Sequence, residues 1–93
     1  MKDTDIPAKV RKEVLERDSI DGCPCCIVCG RPFLKGGAHL HHVIPRSQGG
    51  KGIRENLVTL CYKCHEKVHN EDEDTKWLVR EYLNFKEKRC ANG

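Results

Sequence analysis

Apolar residues fall into short, separated groups along this chain, and their spacing predicts where its elements lie. From Ala8 to Arg17, Val10, Val14 and Leu15 recur at i, i+4 and i+5 among Lys9, Arg11, Lys12, Glu13 and Glu16, the pattern of a short amphipathic helix. Pro7 suits its first turn, residues 1–7 form a polar lead-in, and the helix is expected to stop before the turn pair Asp21-Gly22. After a break at Gly36-Gly37, Leu40, Val43 and Ile44 predict a first strand, and Leu57-Val58-Thr59-Leu60 a second, with a loop rich in Ser, Gln and Gly from Pro45 to Gly52 between them. A final helix over residues 75–88 aligns Leu78, Tyr82 and Phe85 on one side with Val79 and Leu83 beside them, and the run Glu71-Asp72-Glu73-Asp74 complements its N-terminus. Trp77 is read as a core or packing residue. Two strands followed by a helix opening at Cys61-Cys64 give a ββα core over residues 38–70 with flanking helices, an α+β chain.

Length changes this picture by demanding a staple. Ninety-three residues make one small domain, 1–93, with little apolar surface to bury. The seven cysteines offer the staple. The N-terminal MKDTDIPAKV has no apolar signal region, which places the chain in the cytoplasm, where paired cysteines hold metal more often than they form disulfides. No apolar run reaches membrane-spanning length. Cys26-x-x-Cys29 followed by Gly30 is the better of two overlapping knuckles, because the glycine allows a tight turn that aims both sulfurs at one ion; Cys23 with Cys26 is the other. Cys61-x-x-Cys64 is the partner knuckle, and two such pairs predict a closed, tetrahedral structural Zn²⁺ site. Cys23, Cys25 and Cys90 are then free thiols. A thioredoxin-like redox role lacks the surrounding βαβ pattern.

Charge singles out the stretch between and around the knuckles. The net charge of +3 divides unevenly: residues 31–69 carry +5, while each flank carries −1. Concentrated positive charge suits a phosphate-backbone partner, and Arg46, Lys51 and Arg54 on the loop are candidate phosphate contacts, against the plainer reading of solvated loop cations.

The same stretch holds all five histidines. His65 and His69, at i and i+4, share one helical face and can share one ion, whereas Cys64, one position earlier, points away from that face. His41 and His42 are adjacent on a strand, so one faces an ion and the other faces elsewhere. Neutral imidazoles with open coordination positions make a Lewis-acid site, and a further unliganded histidine is a natural base for an attacking water. Asn56 can hold that base in orientation through its backbone carbonyl or by bracing the loop. His39 is read as a polar strand-end residue.

His42, Asn56 and His65, set in HHVIP, GG, NLVTLC and CH, resemble the HNH endonucleases and their ββα-metal motif. The likeness runs from about Val10 to His69 and is sharpest over residues 41–69. It implies His42 as general base, Asn56 as the residue that orients it, and His41, His65 and His69 as ligands of one divalent ion. Many members carry Asp where this chain has His41. The all-histidine set is closer to the nuclease domains of the bacterial colicins, which lack the paired knuckles, so Mg²⁺, Mn²⁺, Ni²⁺, Co²⁺ and Zn²⁺ all stay open. The resemblance further implies hydrolysis of DNA to 5′-phosphate and 3′-hydroxyl ends, and small members of this kind act near phage packaging proteins. A non-catalytic zinc-bearing nucleic-acid-binding module and a metal-stabilised protein-interaction domain are the alternatives. So short a chain has few base-reading elements, and sequence specificity is expected to be weak.

Overall fold

A computed structural model describes residues 6–34 and 37–87. Helix α1 (Ala8–Arg17) begins after Pro7 and is followed by a small hairpin of β1 (Ser19–Ile20) and β2 (Cys23–Pro24). Asp21 and Gly22 turn that hairpin with positive φ of 53° and 82°. Strand β3 (His39–His42) then pairs antiparallel with β4 (Leu57–Leu60), setting His39 opposite Leu60 and His41 opposite Val58. Helices α2 (Tyr62–His69) and α3 (Glu73–Glu87) complete the chain. The ββα order expected from the sequence is present, in an α+β arrangement of two small sheets and three α-helices among the described residues.

β4 is the hub. All four of its residues are buried, because both of its faces are covered. Val58 and Leu60 join Val68 of α2, Val79 and Leu83 of α3, and the buried Cys26, Cys61 and Cys64 in one cluster. Leu57 and Thr59 alternate to the other side, where α1 contributes the fully buried Val14. Asp18, just beyond α1, fastens this side: its carboxylate accepts from the Thr59 N–H at 3.0 Å, from the Tyr82 hydroxyl at 2.5 Å and from both ends of the Arg17 fork. Arg17 also donates to the Leu57 and Arg54 carbonyls and pairs with Glu87 at 3.0 Å. A carboxylate with no exposed side-chain surface is tolerated here because every lone pair it presents has a donor in reach.

Several expectations give way to packing. The first strand ends at His42, so Val43 and Ile44 belong to the loop, and α3 starts two residues before Thr75. On α3 the buried stripe is Thr75, Val79 and Leu83, with Leu78 and Tyr82 at its margin. Tyr82 sits at the margin because its hydroxyl must reach Asp18. Phe85 is 77% exposed and Trp77 58% exposed, so neither is a core residue. Cys25, read as a spare thiol, is buried, and its S–H points to the Cys23 carbonyl at 3.3 Å. Cys90 lies outside the described residues, as do Lys35 and Gly36.

Candidate functional site

The two knuckles meet at the start of α2. The Sγ atoms of Cys26, Cys29, Cys61 and Cys64 all lie within 4.8 Å of one another, which selects Cys29 over Cys23 as the partner of Cys26. Gly30 takes a φ of +80° and donates to the Cys26 carbonyl at 2.9 Å, so the turn depends on a residue without a Cβ. The Ile27 N–H binds the Thr59 carbonyl at 3.0 Å and moors this knuckle to β4. Four ligands at about 2.3 Å around a tetrahedral Zn²⁺ would stand about 3.8 Å apart. The Cys29 and Cys61 sulfurs are 3.7 Å apart, so the cysteines fit that ion. Burial raises the Cys61 thiol, but hydrogen bonds from the Cys64 backbone and from the Cys64, Cys29 and Cys26 thiols outweigh it and bring Cys61 down to about 7. Cys61 is therefore readily a thiolate, at the N-cap of α2 where helical N–H groups favour one.

One residue on, α2 turns to a different task. The ring centroids of His65 and His69 are 4.6 Å apart, and their Nε2 atoms are 3.2 Å apart. Two imidazoles on one ion at about 2.1 Å would be separated by about 3.4 Å, so this pair has the spacing of adjacent ligands. His41 reaches across from β3, with centroids 5.5 Å from His65 and 6.2 Å from His69. Among the described residues only the cysteine set has all its ligand atoms mutually within 4.8 Å, so the three imidazoles are gathered more loosely than the four sulfurs. Burial, and then the neighbouring rings of His65, His69 and His42, push His41 down to about 4. His65 is lowered in the same direction by burial and by His69 and His39. Both rings are thereby neutral at pH 7, the form that can ligate a metal.

His42, the last residue of β3, lines the same cleft. The backbone just beyond it is held by Asn56, itself only 4% exposed. The Asn56 carbonyl accepts from the Val43 N–H at 2.9 Å, its Oδ1 accepts from the Ile44 N–H at 2.8 Å, and its Nδ2 donates to the Ile44 and Lys51 carbonyls. These bonds tie the two ends of the loop after β3 together. Gly50 closes that loop against the Ile44 carbonyl, where any Cβ would collide with backbone.

His41, His42, His65 and His69 line a cleft of about 890 Å³ between β3, α2, α3 and the loop after β3. Of the three loop cations anticipated as phosphate contacts, Arg46 lines it and Lys51 and Arg54 do not. Arg54 instead pairs with Glu87 at 3.3 Å and lies 3.8 Å from Glu55. His39 stands at the start of β3, as expected, with its ring 5.2 Å from His65 and outside the cleft lining. Sequence reasoning missed two cations. Lys76 and Arg80 also line the cleft, and no signal in the local sequence linked α3 to it.

The HNH endonuclease family matches residues 26–71, which include both knuckles, His41, His42, Asn56, His65 and His69. The chain is 39% identical over 61 residues to Anaredoxin of Nostoc sp., covering 66% of this chain and 72% of that protein. It is 36% identical over 56 residues to the type IV methyl-directed restriction enzyme EcoKMcrA of Escherichia coli, covering 60% of this chain. It is 53% identical over 36 residues to the probable mobile endonuclease C of Enterobacteria phage T4, covering 39% of this chain. The two endonucleases are much longer, and the chain spans 19% and 17% of their lengths. With the paired knuckles and the histidine strand and helix all inside the matched span, the chain belongs to the HNH endonuclease family.

Proposed function

We propose that the chain is a metal-dependent endonuclease that hydrolyses phosphodiester bonds in DNA, with Cys26, Cys29, Cys61 and Cys64 holding a structural Zn²⁺. The observation that carries this reading is the 3.2 Å approach of His65 and His69, with His41 beside them, in a cleft that also contains His42. His41, His65 and His69 would hold one divalent ion, Mg²⁺, Mn²⁺, Ni²⁺, Co²⁺ or Zn²⁺. When bound, such an ion supplies Lewis-acid stabilisation of charge on a phosphate oxygen and on the departing 3′ oxygen. His42 accepts a proton at a ring nitrogen from the water that attacks phosphorus, and its position at the end of β3 is kept by the Asn56 brace on Val43 and Ile44. The bond formed joins water oxygen to phosphorus, the P–O3′ bond breaks, the departing 3′ oxygen takes up a proton from solvent, and the products carry 5′-phosphate and 3′-hydroxyl ends.

Relaxation of supercoiled plasmid by the full chain, with each of the five ions and beside His42→Ala, tests this. Nicking by the unsubstituted chain that His42→Ala abolishes is the expected result. The looser gathering of the imidazoles relative to the sulfurs favours a second reading, a zinc-bearing DNA-binding module without catalysis. Equal DNA binding by both proteins with relaxation by neither would establish that reading in place of the first.

A further inference from the structure

The cleft has a second wall, and it is cationic. Lys76 and Arg80 stand one turn apart on α3 and both line the cleft that holds His41, His42, His65 and His69. With Arg46 they set three cations against a single lining carboxylate, Glu71. Residues 70–93 sum to −1, so the flank looks acidic along the chain. The helix sorts those charges: Glu73, Asp74 and Glu81 of α3 lie outside the cleft lining, while Lys76 and Arg80 lie inside it.

Glu71 is placed in an unusual way. It lies in the link between α2 and α3 with a φ of +63°, a left-handed conformation that L side chains rarely adopt. Its N–H is held by the Val68 carbonyl at 3.1 Å, and its carboxylate meets the Lys76 ammonium at 2.8 Å. The Glu71 side chain is 73% exposed, so this ion pair is solvated and exchanges at little cost. Among the described residues Arg80 has no ion-pair partner, which leaves its guanidinium available to an anion.

We propose that Lys76 and Arg80 grip the phosphate backbone of the DNA strand along the α3 side of the histidine cleft, and that the Glu71 carboxylate stands in for that phosphate on Lys76 until DNA enters. The inference rests on the nuclease reading of the cleft and adds to it a docking wall. One turn of helix presents the two cations along a single line about 6 Å apart. Contacts of this kind fix the register of the backbone and carry no sequence preference.

The test uses the full chain carrying His42→Ala, so that bound DNA stays intact, with a short labelled duplex read by fluorescence anisotropy over a salt series in Mg²⁺. Adding Lys76→Ala and Arg80→Ala weakens binding on the order of tenfold at moderate salt and lowers the slope of log affinity against log salt by about 1.8, since each lost phosphate contact removes about 0.9. Glu71→Gln shifts affinity the opposite way, tightening binding several-fold at low salt. Lys12→Ala, on the exposed face of α1 away from the cleft, leaves both readouts unchanged. If the parent binds DNA and the double substitution leaves affinity and slope intact, the docking wall is overturned while the nuclease reading stands. An unchanged affinity for Glu71→Gln overturns the stand-in role. A parent chain that binds no DNA overturns the wall and the nuclease reading together.

Discussion

Cys64 and His65 are neighbours on α2, yet one closes a cluster of four sulfurs, three of them on buried residues, and the other opens onto a cleft of about 890 Å³. The sulfurs meet where β4 ends, and Cys26, Cys61 and Cys64 pack into the apolar cluster of Val58, Leu60, Val79 and Leu83, with Cys29 at the surface. The imidazoles meet at the rim, with His69 exposed and His41 and His65 half-buried. A set of four sulfurs fills every position of a tetrahedral ion with protein, which suits it to holding the fold together. A looser set facing a cleft leaves positions for water and phosphate. The 100° step between adjacent helical residues suffices to separate the two tasks.

Breaking the cysteine set should have the largest effect. Cys29→Ala or Cys61→Ala is expected to abolish the folded state, seen as loss of helical circular dichroism, because a structural zinc contributes about 10–16 kcal/mol, more than a small domain has in reserve. Mild chelation should leave this zinc in place. His65→Ala and His69→Ala, by contrast, should keep the dichroism spectrum, which separates the cysteine set from the histidine set.

Next in size is His42→Ala. A rate loss of about 10²- to 10⁴-fold in plasmid nicking is expected, the ordinary contribution of a positioned base, with the melting temperature little changed. Asn56→Ala strikes the seam between the two regions: it removes three side-chain hydrogen bonds of 2.8 to 3.2 Å from a buried site. A loss of about 2–4 kcal/mol in urea unfolding should result, since the Ile44 and Lys51 groups are left without those partners. Activity should fall as the loop after His42 loosens.

The smallest effect concerns pH. Above about 6.5, His41 is neutral in both the folded and the unfolded chain and contributes nothing to pH dependence. Between 6.5 and about 4 the unfolded chain takes up a proton that the folded chain refuses, so stability falls as pH falls. His41→Gln should flatten that window in urea unfolding of the zinc-loaded protein while leaving acid release of zinc as it is. Equal slopes for the two proteins would mean that His41 is no more hindered from protonation than an exposed histidine.

How legible each part was depends on how local its cause is. The knuckle Cys26-x-x-Cys29-Gly30, the i, i+4 pair His65 and His69, and the buried run Leu57 to Leu60 were readable because turn geometry and helical or strand periodicity act over a few residues. The face of α3 was misjudged: the periodicity of Leu78, Tyr82 and Phe85 is as good as that of Thr75, Val79 and Leu83. Only the contact of α3 with α2 and β4 selects between the two stripes. Lys51 and Arg54 looked equivalent to Arg46 on one loop, but the loop folds back on Asn56 and Gly50 and turns them out of the cleft.

The amino-acid order by itself determined the two cysteine knuckles, the ββα succession and the histidines on strand and helix, because each depends on spacing within a short segment. Only the tertiary structure decided that Cys29 and not Cys23 joins Cys26 in the sulfur set, that His39 lies beside His65, and that Lys76 and Arg80 face the histidines. Those juxtapositions join residues far apart in the chain. They are set by which faces of β4, α2 and α3 are buried together, a competition among long-range contacts that no local pattern records.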